Sequence, residues 1–156
     1  MSREAQFAAI LDQLGYSFEA GLKLGGDYAA TVRHEGVVYV SGQIPRIDEE
    51  VIHPGRVGSE VSLKDARTAA MVSALRCLAL VREQVGSLDN IRAILRMTVF
   101  VQSAEAFTRQ SEVANAASQV LYSVFGEAGA HTRTSVGVLR LPKNAPVEID
   151  LIAAVT

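Results

Sequence analysis

The chain has 156 residues, enough for one domain with a real hydrophobic core, and its 49% hydrophobic and 21% charged residues place it among ordinary globular proteins. A formal net charge of −2, with no basic run and no interleaved aromatic patch, excludes an electrostatic case for nucleic-acid binding. No apolar stretch reaches membrane-spanning length, the start MSREAQFAAILDQLG lacks the uninterrupted apolar run of a signal peptide, and the single cysteine, Cys77, excludes an internal disulfide, so a cytoplasmic location is the default expectation.

Phe7, Ile10, Leu11 and Leu14 follow helical spacing, which predicts a short N-terminal helix ended by Gly15. Leu24 to Asp27 is a loop, and Thr31 to Val40 reads as two short strands around a turn at His34-Glu35-Gly36. Pro45 to Ser59 is rich in Gly, Pro and charge; it reads as a surface loop in which Arg46, Asp48, Glu49 and Glu50 are solvated. Ser62-Leu63-Lys64-Asp65 resembles a capping box and opens a long helix to about Val85, with Gly86 as its cap. Ile91 to Val101 is a strand, and Glu105 to Phe125 a second long helix stopped by Gly126. The stretch HTRTSVGVLRLPKNAPVEIDL, His131 to Leu151, reads as a β-hairpin turning at Pro142 to Pro146. Arg133 sits at the mouth of its first strand and Glu148 inside its second.

The order β-β-α-β-α-β-β implies a single α+β domain over residues 1–156, with residues 1–26 as an N-terminal helix and loop extension. Long helices between strands make crossovers, so the expected architecture is two-layered: a mixed β-sheet with two long helices packed on one face. The other sheet face is then uncovered and apolar, and the physical expectation is a homo-oligomer. The mean hydropathy of +0.19 fits a buried interface, and equally a core rich in alanine and valine.

Familiar catalytic motifs are absent. His34, His53 and His131 are widely spaced and form no metal-ligand pattern, and there is no Walker loop, GxGxxG or GxSxG elbow. Cys77 falls on an apolar helix face, as a core residue does. His131 reads as a loop histidine close to Arg133.

What remains is a pair of separated segments. VYVSGQIP at 38–45 and RTSVGVLRLPKNAPVEIDLIA at 133–153 closely resemble the Rid family of reactive intermediate deaminases, also called the YjgF/UK114 family and often labelled endoribonuclease L-PSP. The resemblance runs over nearly the whole chain from Tyr28. It implies a chorismate-mutase-like fold and a homotrimer with sites at its subunit interfaces. It also implies hydrolysis of small carboxylate-bearing imines and enamines to 2-oxo acids and ammonia, without metal or cofactor. By the same resemblance Arg133 grips the substrate carboxylate and Glu148 helps activate water. Tyr28, Ser41, Gly42, Asn115 and Ser135 fall at substrate-contacting positions. Ser135 and Gly137 stand where many members have cysteine and glutamate, which marks a divergent branch with a longer leader.

The residue types suit that chemistry. A guanidinium offers a rigid two-pronged fork to a carboxylate, where lysine offers a point charge. A carboxylate within reach can take a proton from attacking water and return it to the leaving nitrogen. Hydroxyls on Tyr28 and Ser41 add polar contacts, and Gly42 allows close backbone approach. Other readings stand beside this one. Arg133 and Glu148 can instead be an interface ion pair that fixes oligomer register, and Ser135 and Gly137 keep open a non-catalytic trimer that binds or regulates through a small carboxylate metabolite. Ribonuclease activity, carried only by the family label, lacks a histidine pair or basic groove. Neither a nucleic acid nor a membrane is expected as a partner.

Overall fold

The computed structural model describes residues 1–156. In chain order it contains α1 (Arg3–Leu14), β1 (Thr31–His34), β2 (Val37–Gln43), β3 (Arg46–Ile47), β4 (Glu50–Val51), α2 (Leu63–Val85), β5 (Ile91–Gln102), α3 (Gln110–Phe125), β6 (Thr132–Val138) and β7 (Val147–Val155). The main sheet has the order β1-β2-β7-β5-β6, and β3 and β4 form a separate two-stranded ribbon. β5 and β6 run parallel; every other neighbouring pair is antiparallel.

Local chemistry sets the helix ends. The Ser2 hydroxyl accepts from the Ala5 N–H at the start of α1, and the Ser62 hydroxyl accepts from the Asp65 N–H at the start of α2. Gly15 and Gly86 end these helices in the left-handed region, as expected. α2 and α3 share one face of the sheet. The side of α2 turned to β7 is rich in alanine, which lets the layers approach closely enough for the Cys77 thiol to donate to the Ile149 carbonyl at 3.4 Å. Burial pushes that thiol far above its ordinary pKa, so it is a core group and no nucleophile. Phe7, Ile10 and Leu11 of α1 join the same core, and Arg82 holds α1 by pairing with Glu4 at 3.0 Å while lying over the Phe7 ring. No helix is long and apolar enough to cross a membrane.

The expected α+β architecture is therefore present, with three local corrections. The stretch from His131 to Leu151 is not a hairpin: β6 and β7 do not pair, because β5 lies between them, parallel to one and antiparallel to the other. An alternating pattern identifies the face a strand buries but not the neighbour it chooses. α3 begins at Gln110 rather than Glu105, because the Ala104 N–H bonds to the Val57 carbonyl at 2.9 Å and Ala104 to Phe107 form a turn. Pro45 to Ser59 contains the β3–β4 ribbon, and Arg46, expected in solvent, is 6% exposed.

The connection from β6 to β7 is pinned by Gln102, a fully buried amide at the end of β5. Its Nε2 donates to the Gly55 carbonyl (2.9 Å) and Asn144 Oδ1 (2.8 Å), and its Oε1 accepts from the Leu141 N–H (2.7 Å). Three otherwise unpaired groups depend on one side chain, so Gln102→Leu is expected to lower stability by about 2–4 kcal/mol. A fall in the urea midpoint at unchanged slope checks this.

Candidate functional site

β6 is an edge strand; the Arg133 and Ser135 side chains turn toward α3, and Gly137 faces the same way. Arg133 Nη1 donates to Asn115 Oδ1 (2.9 Å) and Ser118 Oγ (3.0 Å), both on α3. Behind Ser118 lies His131: its Nε2 is 2.9 Å from the Ser118 hydroxyl, and its Nδ1 is 2.7 Å from the Gly129 carbonyl. A carbonyl can only accept, so Nδ1 carries a proton and the ring is held in one orientation. The histidine thus buttresses Arg133 through Ser118. Ser135 lies 3.4 Å from the Ser111 hydroxyl. A side chain at Gly137 would start within 2.9 Å of Gln110 Nε2 and 3.1 Å of Ser103 Oγ, so here those residues fill the space a glutamate would enter.

The second group surrounds a cavity of about 340 Å³ beyond the ends of β2 and β7. Glu148, Tyr28 and Gly42 line it. β2 carries a bulge between Val40 and Gln43, which puts one extra residue opposite β7 and places Gly42 against Glu148. A Cβ at position 42 would overlap the Glu148 carboxylate, so glycine lets that carboxylate lie against the β2 backbone and a larger residue would displace it. The Ser41 hydroxyl is already engaged: it donates to the Ala29 carbonyl at 2.7 Å and fastens the segment before β1 that carries Tyr28. Burial, with the Asp150 charge two residues along the same face, holds the Glu148 carboxyl above its ordinary value.

These two groups do not meet within one chain. Arg133 is in register with fully buried Met97 and points to the helices, whereas Glu148 is in register with Phe100 and alternates with the buried residues Val147 and Ile149. The two side chains therefore leave opposite sheet faces. Their backbones are roughly 10 Å apart across two strand spacings and roughly 10 Å along the strands. Within one chain, Arg133 and Glu148 therefore do not face a common pocket. Tyr28, Ser41, Gly42 and Glu148 fall on one side; Arg133, Asn115 and Ser135 fall on the other.

Comparison with known proteins now bears on this arrangement. The model of the endoribonuclease L-PSP family matches residues 18–155. The chain belongs to this family, the Rid family. The Trypanosoma cruzi protein TCP17 is 36% identical over 93% of this chain and 91% of its own length. The crystal structure of Atu1372 from Agrobacterium tumefaciens, a protein of unknown function, superposes with a TM-score of 0.87 at 34% identity, covering 99% of this chain and 95% of that one. Escherichia coli TdcF with bound serine superposes with a TM-score of 0.60 at 28% identity, covering 85% and 91%. The family relationship establishes the chorismate-mutase-like fold.

Sequence reasoning missed Ser118, whose signal is only its helical spacing of three from Asn115. It also missed Arg46 and Arg76, which line the Glu148 cavity and carry no local sign of burial.

The Glu148 shift has a measurable sign. Its folded pKa lies above the ordinary 4.5, so between those values the folded chain binds more protons than the unfolded chain and stability falls as pH rises through the window. Urea denaturation at a series of pH values is expected to show the Glu148→Gln variant gaining on the wild type as pH rises above about 4.5.

Proposed function

We propose that the protein is a cofactor-independent deaminase that hydrolyses small carboxylate-bearing imines and enamines to 2-oxo acids and ammonia. We further propose that it acts as a homotrimer in which each site forms between neighbouring copies. The observation that carries this reading is the split of the family's site positions into two half-sites on opposite sheet faces. Arg133 is oriented by Asn115 and Ser118 at an edge strand, and Glu148 stands in a cavity with a raised pKa. Each half lacks what the other holds, and a second copy can supply it. Phe100, Ile152, Val136 and Tyr39 on the helix-free sheet face remain partly or well exposed, which gives such a contact an apolar surface. The TdcF relative holds serine, a small carboxylate-bearing molecule.

In this mechanism Arg133 of one copy grips the substrate carboxylate through two parallel hydrogen bonds and aims the C=N carbon at the neighbouring copy's Glu148. Water adds to that carbon while Glu148 takes its proton. The same carboxyl gives that proton to the nitrogen, which leaves a carbinolamine (an enamine first tautomerises to the imine). The carboxyl then carries the carbinolamine hydroxyl proton to the nitrogen as the C=O bond forms and the C–N bond breaks, and the products are a 2-oxo acid and ammonia. A carboxylate whose pKa is raised by burial is a stronger base than a solvated one. An imine is intrinsically reactive, so orientation and one carboxyl that relays both protons suffice.

The test generates 2-aminoacrylate with a dehydratase and follows pyruvate release. Arg133→Ala and Glu148→Gln are each expected to reduce release to the uncatalysed rate while leaving the oligomer intact. Randomly mixed subunits of the two variants are expected to regain about a quarter of wild-type activity, because that fraction of interfaces pairs an intact Arg133 with an intact Glu148. No recovery rules out sites shared between copies. Saturable binding of 2-oxo acids with no acceleration of any imine leaves a metabolite-binding trimer instead.

A further inference from the structure

The cavity beside Glu148 carries more positive charge than any residue of the chain offsets. Arg46 and Arg76 are 6% and 2% exposed, and both line it. Arg76 spends its guanidinium on neutral acceptors: Gln43 Oε1 at 3.3 Å, the Arg46 carbonyl at 2.8 Å and the Lys23 carbonyl at 3.2 Å. Burial, with the neighbouring Arg46 charge, lowers its pKa to about 10, so it remains a cation. The Arg46 guanidinium has no hydrogen-bond acceptor in the chain, and no carboxylate lies within 4 Å of either arginine's nitrogens. Lys143 adds a further charge at the cavity wall, from a backbone held in the left-handed region at φ 58°. Glu148 is the sole acidic residue of the lining.

The Arg46 guanidinium, with no acceptor or counter-ion in the chain, opens into the cavity, where a bound anion can complete it. Arg76 fixes the site rather than filling it. By bonding the Arg46 carbonyl, the Lys23 carbonyl and Gln43 together, it ties β3, the segment before β1 and the end of β2 around the opening, and leaves the Arg46 fork free. The cavity is large enough for a small organic acid. A planar fork is matched to a carboxylate.

We propose that Arg46, positioned by Arg76, is a second carboxylate subsite, so that this protein prefers dicarboxylic 2-oxo acids, and the imines that lead to them, over their monocarboxylic counterparts. The assignment of the two ends rests on the deaminase reading: the carboxylate next to the reacting carbon goes to Arg133 of the adjoining copy and the distal one to Arg46. The anion subsite itself does not depend on turnover.

The experiment is calorimetric titration of the intact oligomer at fixed ionic strength with pairs matched in chain length: 2-oxobutanoate against oxaloacetate, and 2-oxopentanoate against 2-oxoglutarate. In the wild type each dicarboxylate is expected to bind about tenfold or more tightly than its partner, the usual scale for a charge-assisted hydrogen-bonded pair. Arg46→Gln is expected to erase that difference while keeping the affinity for monocarboxylates, and Arg133→Ala to weaken both classes. Arg46→Lys keeps the charge but loses the fork, so it is expected to retain part of the preference, and it serves where the glutamine variant does not fold. Equal affinity for both classes in the wild type, no binding of either, or a preference that survives Arg46→Gln overturns the subsite. A dicarboxylate preference without hydrolysis of any imine upholds the subsite and removes the deaminase reading, so the two failures are told apart.

Discussion

The two-residue alternation of β7 is the constraint on which the rest of the molecule depends. This strand lies at the centre of the sheet, between β2 and β5, and every second side chain from Val147 to Val155 is buried beneath the helices. A shift of one residue in its register would send five core side chains to the open face and drive Glu148 and Asp150 into the apolar layer. The register is therefore fixed by the hydrophobic effect, and the position of the acidic residues follows from it. Glu148 is on the open face because Val147 and Ile149 cannot be.

A second tier of order comes from buried polar side chains acting as fasteners. Arg76 binds two backbone carbonyls and Gln43, and Gln102 binds two loops and the turn before β7. Ser41 holds the segment before β1. Each satisfies backbone groups that have no ladder partner, which is how irregular chain can be buried at all. All three stand around the same end of the sheet, where they fasten the loops around the cavity. On the far edge, Asn115, Ser118 and His131 serve Arg133 in the same way. The pattern is consistent with binding groups set before a ligand arrives, which reduces the ordering cost of recognition.

The residues that match the family's site positions are distributed over both sheet faces of the chain. In the proposed trimer, one neighbouring copy would both cover the apolar face and complete the half-site. Gly137 and Ser135 fit their surroundings without strain, since Gln110, Ser103 and Ser111 occupy the space beside them. The departure from the commoner family pattern at these two positions is thus matched by local repacking on α3 and the end of β5.

Much of this was legible in the residues themselves. Helical spacing from Phe7 to Leu14, the cap at Ser62 and the glycines at 15 and 86 state where the chain turns and stops, because these signals act over a few residues. Alternation in 147–155 and the segments around Ser41 and Arg133 indicated the fold class and the family. The sequence did not show that β5 separates β6 from β7, since strand neighbours are chosen by long-range packing that a local pattern does not encode. Nor did it show that Arg46, in a stretch rich in Gly, Pro and charge, is buried, or that Arg133 and Glu148 leave opposite faces. Those outcomes were decided by tertiary structure, because burial of a charge and the facing of two strands depend on which distant backbone groups are brought alongside.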